Sequence, residues 1–386
     1  MKNVEFKGYY NDDNKAALRN HVAIIGLSPF CSRVVQMISE QVYGTVPLAQ
    51  NHGRNEIGTN LKRFENSMLN VALNPNISSV LLVGYEPRTT EKYIESFRKR
   101  SRKPIESVMI LKSGGTIETV RDGSRKALEL VLNASEMERE PMGLDGLSFG
   151  VKCGGSDATS GIASNPAVGW VSDYIVENGG TVIFSETTEI IGAEHILQKR
   201  ARNEEVARKI LEAARSNEAI ALSEGIDLVG INPVPDNIEG GISTIEDKSL
   251  GAISKSGTSQ INGVLEYAEI PNGRGLYFMD SPSGAHEVQT ALAAAGVNMI
   301  LFSTGTGNTS GGPGITPVLK ITGNIKTVRS MGDHIDIDVS GIITGEMNVE
   351  EAGIKLLNGI RKVANGKLTR GEILRTWDFS PVPAGL

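Results

Sequence analysis

Short apolar runs alternate along this chain with longer stretches in which apolar residues recur every three or four positions. The run HVAIIGL at residues 21–27, for example, comes before a stretch at 32–41 that places its apolar residues on one side. The first pattern is typical of buried strands and the second of amphipathic helices. Strands that alternate with helices predict an α/β fold of mostly parallel sheets flanked by helices, with Rossmann-like layering.

The same alternation continues through both halves of the chain. It predicts strands at residues 21–27, 44–48, 80–85, 107–110, 147–152, 181–185, 275–280, 298–303, 317–322 and 333–338, and helices at 32–41, 90–100, 119–132, 166–177 and 349–363. In open parallel sheets, ligands bind at the carboxyl ends of the strands. Functional residues are therefore expected in the loops that follow these strands.

A polar segment at residues 133–143 separates two such series of elements. It reads NASEMEREPMG, without hydrophobic periodicity, and ends in Pro and Gly, which is typical of a domain boundary. We predict an N-terminal α/β domain over 1–135 and a C-terminal α/β domain, the catalytic one, over 143–386. Most of the Gly- and Pro-rich segment at 227–263 is expected to be loop.

Composition narrows the classes of protein to consider. The 386 residues carry 39 Lys and Arg against 45 Asp and Glu, a formal net charge of −6, so the basic surface of a nucleic-acid binder is missing. Cys31 and Cys153 lie far apart and outside any zinc-knuckle spacing, which favours a reducing compartment. No apolar run approaches the about 20 residues of a membrane helix. We expect a cytoplasmic protein that binds neither nucleic acid nor membrane.

The densest polar cluster lies between a predicted strand and a predicted helix. It reads CGGSDATSGIASNP at residues 153–166, which is neither a Walker A loop nor a GxGxxG fingerprint. Its glycines and the following helix N-terminus predict a cradle for a carboxylate or sulfonate. The alternative is a Ser/Asp-capped turn beside a buried cysteine. The candidate substrate-binding residues are Gly154, Gly155, Ser156, Asp157 and Ser160.

Polar residues also follow three other predicted strands. Glu186 ends one of them, with Glu194 and His195 about two helical turns later, and Asp280 and Thr304 end two more. A carboxylate with an imidazole suits either a general base or a divalent metal ion. We predict Glu186 and His195 as bases or metal ligands, Asp280 as an orienting group and Thr304 as a substrate contact. A surface pair, a capping Asp and a plain turn are the alternatives.

The N-terminal half offers its own candidates for anion binding. His52 and Arg54 share one loop after a predicted strand, and Arg19 and Asn20 precede the first strand. A guanidinium fork matches the oxygens of a carboxylate or sulfonate. We predict His52 as a catalytic residue and the other three as substrate contacts, with surface ion pairs as the alternative.

Several longer strings resemble the catalytic region of the altronate/galactarate dehydratase family, and the resemblance covers nearly the whole chain. They are VKCGGSDATSGIASNPAVG at 151–169, FSETTEIIGAEHIL at 184–197, GGISTIEDKSLGAISKSG at 240–257, GLYFMDSP at 275–282 and STGTGN at 303–308. The resemblance implies β-elimination from a 2-hydroxy acid, in which a base removes the C2 proton and a C3 substituent leaves. It also implies an oligomer of like or unlike subunits, with a SAF-domain small subunit as partner.

A divalent metal ion is a further implication of the resemblance. Fe²⁺ is the expected ion, with Mn²⁺ and Mg²⁺ as alternatives. The candidate ligands in this chain are Cys153, Glu186, Glu194 and His195.

Two departures from the family pattern bear on the leaving group. Arg54 and Pro87 stand where the sugar-acid dehydratases have thiols, and both replacements resemble the branch of the family that cleaves the carbon–sulfur bond of (2R)-3-sulfolactate. Gln50 stands where the family usually has His. Carbon–sulfur cleavage that releases sulfite and pyruvate is therefore the expected activity. The alternatives are a sugar-acid dehydratase and a non-catalytic sugar-acid binding protein.

Overall fold

Two parallel sheets flanked by helices form the body of the protein in this computed structural model. The described residues are 6–53, 56–225, 228 and 232–382. This arrangement confirms the predicted α/β class. No helix in this part of the chain is long and apolar enough to cross a membrane.

The strands and helices have the following bounds. The strands are β1 (Phe6–Tyr10), β2 (Ala16–Ala17), β3 (His21–Gly26), β4 (Thr45–Leu48), β5 (Ile77–Gly84), β6 (Ile105–Met109), β7 (Glu140–Met142), β8 (Ser148–Cys153), β9 (Thr181–Phe184), β10 (Ile261–Leu265), β11 (Gly275–Met279), β12 (Met299–Thr304), β13 (Val318–Thr322) and β14 (Ile337–Asp338). The helices are α1 (Ser32–Gln41), α2 (Gly58–Ala72), α3 (Pro87–Arg98), α4 (Ile110–Ser113), α5 (Thr116–Ser135), α6 (Asn165–Glu177), α7 (Glu194–Lys199), α8 (Glu204–Ser223), α9 (Pro235–Glu239), α10 (Ile245–Ile253), α11 (Ala285–Ala294), α12 (Ile325–Ser330), α13 (Gly341–Thr344), α14 (Val349–Ala364) and α15 (Arg370–Leu374).

The first large sheet is built from the N-terminal half. Its strand order is β4-β3-β5-β6, and every neighbouring pair is parallel. All eight residues of β5 are buried, as expected for a strand covered by helices on both faces. One face packs on α1 and α5 through Val34, Val35, Ile38 and Leu130.

The second large sheet belongs to the C-terminal half. Its order is β10-β11-β9-β8-β12-β13-β14, again with parallel neighbours throughout. Helices α6 and α14 cover one face through a large apolar core. The carboxyl ends of β8, β9, β11 and β12 therefore lie side by side at one edge.

The two halves share both a small sheet and an apolar core. Strand β7, within the predicted boundary segment, pairs antiparallel with β1 at the start of the chain. A second core contains Val46 and Leu48 from β4 together with Ile300 and Phe302 from β12. The domain boundaries at residues 135 and 143 stay a prediction.

The segment at residues 227–263 differs most from its prediction. Instead of mostly loop, its described part contains α9, α10 and β10. Thr244 caps α10 by accepting a hydrogen bond from the Asp247 N–H, and Ile245 and Ile253 are buried. The helix forms because a good cap and a buried apolar face outweigh the local abundance of Gly and Ser.

Three longer helices, α2, α8 and α11, were not predicted either, and the same holds for the short helices α4, α7, α12, α13 and α15. The apolar residues of the three longer helices pack on the sheets or on each other, as Val288 and Leu292 of α11 do. The predicted strand at 333–338 is also reduced to β14, so His334 lies outside it. In this segment the residues that pair with β13 are Ile337 and Asp338.

Candidate active site

Five buried polar residues meet at the carboxyl edge of the seven-stranded sheet. Lys152 and Cys153 end β8, Glu186 and Glu189 follow β9, and Lys255 lies in the turn Ser254–Ser256 after α10. None of them is more than 4% exposed. We call this group the lysine–glutamate cluster. Charged side chains are seldom buried unless they are paired, so the partners of each one matter.

Glu186 stands at the centre of the cluster. Its Oε1 lies 2.5 Å from Nζ of Lys152, and its Oε2 lies 2.9 Å from Nζ of Lys255. The Cys153 N–H donates to the same Oε2 over 3.0 Å. The φ of Glu186 is +80°, which non-glycine residues rarely adopt. These contacts hold the residue in a conformation that its own backbone disfavours.

Glu189 and Cys153 form the second half of the cluster. Cys153 Sγ donates to Oε2 of Glu189 over 2.9 Å, and Nζ of Lys255 lies 3.2 Å from the sulfur. Burial raises the pKa of Cys153, and the neighbouring Glu189 raises it further, so the thiol keeps its proton. Burial alone would raise the pKa of Glu189 as well. Lys255, Lys248 and Lys152 reverse that effect and lower it, so this carboxylate stays ionised.

Lys255 keeps its positive charge for a related reason. Burial alone would lower its pKa, but contacts with Cys153, Glu186 and Glu189 outweigh burial and raise the pKa. The cluster thus holds two lysines against two carboxylates, together with a neutral thiol.

A cavity of about 460 Å³ lies beside the cluster. Ser156, Asp157 and Ser160 of the predicted cradle line it, and so does Lys248 of α10. Nζ of Lys248 lies 3.7 Å from Oε1 of Glu189, so this lysine connects the cavity with the cluster. Its ammonium also donates to the side-chain oxygens of Asn232 over 2.6 Å and Asn237 over 3.2 Å.

The glycine loop itself is held by its own hydrogen bonds. The Ser160 N–H donates to Oδ1 of Asp157 over 2.9 Å, and the Gly154 N–H donates to the Ser303 carbonyl over 3.1 Å. Gly155 has φ +63°, and a Cβ there would lie 2.6 Å from the Gly307 carbonyl oxygen. These hydrogen bonds are those of the capped turn that was the alternative, and the binding of substrate by this loop stays a prediction.

Asp280 and Thr304 support neighbouring loops at the same edge. Thr187, next to Glu186, donates its hydroxyl to Oδ1 of Asp280 over 2.6 Å, so Asp280 fixes the turn that carries the cluster glutamates. Thr304 is buried, and its hydroxyl accepts from the Gly307 N–H over 3.0 Å. Both contacts suit positioning of the loops.

Glu194 and His195 are not brought to the cluster. His195 is exposed at the start of α7, and Glu194 accepts from the Gly192 N–H over 3.0 Å. Among the described residues, the groups that could hold a metal ion are Cys153, Glu186 and Glu189, without these two. Glu189, three residues after Glu186, occupies the place expected for them.

Arg19, Asn20 and His52, the described candidates from the N-terminal half, contact groups outside the cluster. Arg19 forms a buried ion pair with Glu372 at 2.7 Å, and Asn20 donates to the Ala134 carbonyl over 2.8 Å. Both precede β3 and therefore lie at its amino end, opposite to the edge where parallel strands bind ligands. His52 is partly exposed and lies 3.3 Å from Glu56. Arg54 lies outside the described residues.

Sequence reasoning missed the cations of the site, which are Lys152, Lys248 and Lys255. A signal existed for Lys152, since it is a lone lysine in the otherwise apolar strand β8. Lys255 lies in a segment expected to be loop, where a lysine usually faces solvent. Its burial follows from the packing of the turn against α6, which the pattern does not reveal.

Cys153, Glu186 and Glu189 could hold a metal ion. Their ligand atoms lie within 4.8 Å of one another, and a thiolate with two carboxylates is a ligand set that Fe²⁺ or Zn²⁺ accepts. However, Nζ of Lys255 already contacts one atom of each of the three groups. In this arrangement of side chains, a metal ion would first have to displace the ammonium group of Lys255.

Two family profiles match this chain across both halves. The profile described as "D-galactarate dehydratase/Altronate hydrolase, second domain" matches residues 8–135, and "D-galactarate/Altronate dehydratase, C-terminal" matches 144–385. Together with the α/β fold and the buried cluster at the strand ends, they define the class of protein. The chain belongs to the D-galactarate/altronate dehydratase family, a family of lyases.

Individual relatives extend over most of the chain. The (2R)-sulfolactate sulfo-lyase subunit beta of Chromohalobacter salexigens is 39% identical, and the match covers 98% of this chain and 97% of that protein. The altronate dehydratase of Bacillus subtilis is 30% identical over 96% of this chain and 76% of its own length. The galactarate dehydratase (L-threo-forming) of Escherichia coli is 36% identical over 77% of this chain and 58% of its own length.

Proposed function

We propose that this chain is the large subunit of a lyase that releases sulfite from (2R)-3-sulfolactate and leaves pyruvate. The observation that carries the proposal is the buried lysine–glutamate cluster beside the cavity of about 460 Å³. Paired charges that are buried next to a cavity suit a small anionic substrate. The similarity to the Chromohalobacter salexigens protein, over almost the whole of both chains, supports a sulfonate as that substrate.

Glu189 is the proposed acceptor of the C2 proton. Both oxygens of Glu186 are paired with lysines, whereas the one ion-pair partner of Glu189 Oε1 among the described residues is Lys248, which lines the cavity and lies 3.7 Å away. A substrate dianion that draws Lys248 to its carboxylate would place negative charge beside Glu189. Like charges raise the pKa of a carboxyl group, so the bound substrate makes Glu189 a stronger base.

The remaining steps follow from this assignment. The electrons of the C2–H bond form the C2=C3 double bond, and the C3–S electron pair leaves with sulfite. The Lys248 ammonium group, which lines the cavity, stabilises the negative charge that builds up on the substrate carboxylate. The resulting enol becomes pyruvate by taking a proton at C3 and losing the proton of its C2 hydroxyl group. Glu186 is a positioning residue, because it holds Lys152 and Lys255 in place.

Arg54 is the proposed clamp for the sulfonate, on the strength of its place in the sequence. Arg54→Cys is expected to lose most sulfolactate turnover while the unfolding midpoint stays unchanged. Arg33→Cys is a matched control, since the Arg33 side chain is 64% exposed on α1. Equal turnover in the two variants would remove Arg54 from the site.

A SAF-domain small subunit is part of the proposal. The word "subunit" in the name of the Chromohalobacter salexigens relative supports a multi-subunit enzyme here too. The Fe²⁺ expected from the resemblance takes part in none of the steps above. Lys255 already contacts the three cluster groups that could bind such an ion. Bound there in place of Lys255, such an ion would stabilise negative charge on the substrate carboxylate.

The test is direct product analysis. The purified chain is mixed with (2R)-3-sulfolactate, with and without its small subunit, and sulfite and pyruvate are measured in parallel. Equal amounts of the two products are expected. No sulfite from either preparation would overturn the proposal.

The role of Glu189 has a separate test. Glu189→Gln is expected to lower kcat by roughly 10²- to 10⁴-fold, the usual contribution of a general base. Glu205→Gln is the control, since that side chain is 64% exposed on α8. A kcat within a few-fold of the unmodified chain would assign the proton to another group.

A sugar-acid dehydratase is the second candidate. It is favoured by the relatives from Bacillus subtilis and Escherichia coli, which are 30% and 36% identical. This activity would give a 2-keto-3-deoxy acid from altronate or galactarate, and no sulfite from sulfolactate. The same assay with these substrates separates the two functions.

A further inference from the structure

The ammonium of Lys255 lies where a bound cation would have to be. Its Nζ is 2.9 Å from Oε2 of Glu186, 3.2 Å from Sγ of Cys153 and 3.5 Å from Oε2 of Glu189. A metal ion bound by such groups would sit about 2.0–2.3 Å from each ligand atom. Both cations need the same lone pairs, so the cluster has room for one of them at a time.

The backbone around Lys255 is fixed by close packing. The Ser172 hydroxyl donates to the Lys255 carbonyl over 2.9 Å. A Cβ at Gly169 of α6 would lie 2.1 Å from the carbonyl oxygen of Ser254, so helix and turn approach as closely as glycine allows. The turn cannot swing away to free the three groups without loosening this contact.

Charge balance points the same way. Lys152 and Lys255 already neutralise the two cluster glutamates, and Lys248 adds a third positive charge at the rim. A divalent ion added to this buried set would leave an excess of positive charge that no described carboxylate in the cluster compensates.

We infer that Lys255 is the resident cation of the Cys153–Glu186–Glu189 group, and that this chain uses a lysine there instead of a divalent metal ion. The inference concerns the site of the proposed function, but it rests on these contacts alone. A positive charge carried by the chain itself cannot be removed by a chelator, and it leaves Cys153 Sγ 2.9 Å from Oε2 of Glu189.

Cobalt binding provides the test. The full chain and its Lys255→Met variant are freed of metal and titrated with Co²⁺, followed by calorimetry and by the absorption of a thiolate bound to cobalt. We expect no thiolate–cobalt absorption from the unmodified chain. The variant should bind Co²⁺ about a hundredfold more tightly or better, since a nearby ammonium strongly repels a cation in a buried site.

Two further variants make the result specific. Lys255→Arg retains the charge and should remain closed to Co²⁺, whereas the double variant Lys255→Met with Cys153→Ser should lose the new absorption. Stoichiometric Co²⁺ bound with thiolate absorption in the unmodified chain overturns the inference. So does a folded Lys255→Met chain that gains no affinity. If Lys255→Met does not fold, the spectrum of the unmodified chain decides.

This readout is independent of the proposed reaction. A chain that shows the expected cobalt results but releases no sulfite would overturn the proposed function and keep the inference. A chain that releases sulfite and also binds Co²⁺ through Cys153 would do the opposite.

Discussion

The two parallel sheets carry a glutamate at the same place and use it in opposite ways. Glu86 follows β5 of the four-stranded sheet, and Glu186 follows β9 of the seven-stranded sheet. Glu86 caps α3 by accepting from the Thr89 and Arg88 N–H groups over 2.9 and 2.6 Å. Glu186 is fully buried between Lys152 and Lys255.

The difference lies in what covers each strand end. Glu86 belongs to a loop that leads directly into α3, and hydrogen bonds from the Thr89 side chain and from the first N–H groups of the helix lower the pKa of its carboxyl group. Glu186 lies under the turn after α10 and beside the last residues of β8. The carboxyl edge of any parallel sheet can therefore hold a ligand-binding site. Such an edge is a candidate active site where buried charged side chains meet.

Removing the two glutamates should give the largest contrast. Glu186→Ala leaves the ammonium groups of Lys152 and Lys255 buried without their partner, which is expected to lower the free energy of unfolding by about 3–5 kcal/mol. Glu86→Ala removes only an exposed cap and should cost much less. Urea unfolding of the two variants measures both. Similar losses of unfolding free energy in the two variants would show that the two sheet edges do not differ in this way.

A half-buried histidine gives the next largest effect, now in the four-stranded sheet. His21 begins β3, and its Nε2 is buried without a hydrogen-bond partner among the described residues. Burial lowers the pKa of His21 to about 4, and Arg19 adds to the effect. Between pH 6.5 and 4 the unfolded chain therefore binds a proton that the folded chain does not. The free energy of unfolding accordingly decreases as the pH is lowered through this range.

His21→Gln should remove this acid sensitivity. From pH 7 to pH 4.5 the unmodified chain is expected to lose about 2.5 kcal/mol more unfolding free energy than the variant. Urea unfolding at the two pH values measures the difference. Equal losses would show that His21 accepts a proton as readily in the folded chain as in the unfolded one.

The smallest contrast is expected between the two cysteines. Burial raises the pKa of both Cys31 and Cys153, although Cys31 lies in an apolar core and Cys153 among charges. Neither thiol should react with a thiol reagent in the folded chain, and both should react after unfolding. The single variants Cys31→Ser and Cys153→Ser allow each thiol to be followed alone. Rapid labelling of native Cys153 would mean that its thiolate is populated and accessible.

Much of the fold was predictable because its signals are local. Helix α1 and strand β4 match their predicted positions within a residue, and α6 begins at the predicted proline segment. Helix α10 was missed because its cap and its buried isoleucines are few among many Gly and Ser residues. The hydrophobic pattern, read over a stretch of neighbouring residues, does not reveal a single cap or a few buried contacts.

The site was predictable in part for the same reason. Residues placed by a strand end, such as Glu186 and Asp280, lie at the expected edge, as does the glycine loop. Glu194 and His195 were expected there from sequence distance, but an intervening turn directs them elsewhere. Glu189, which lies about one helical turn after Glu186, takes the place that was expected for them.

The amino-acid sequence by itself determined the parallel sheets, the edge at which ligands would bind and the loop that lines the cavity. These depend on the periodicity of nearby residues and on glycines at tight turns. Only the tertiary structure decided which charges meet. Lys255 and Cys153 are 102 positions apart, and Glu186 lies 34 positions from Lys152. A buried ion pair forms where packing removes water from both partners, and no local pattern records which distant residue will be the second partner.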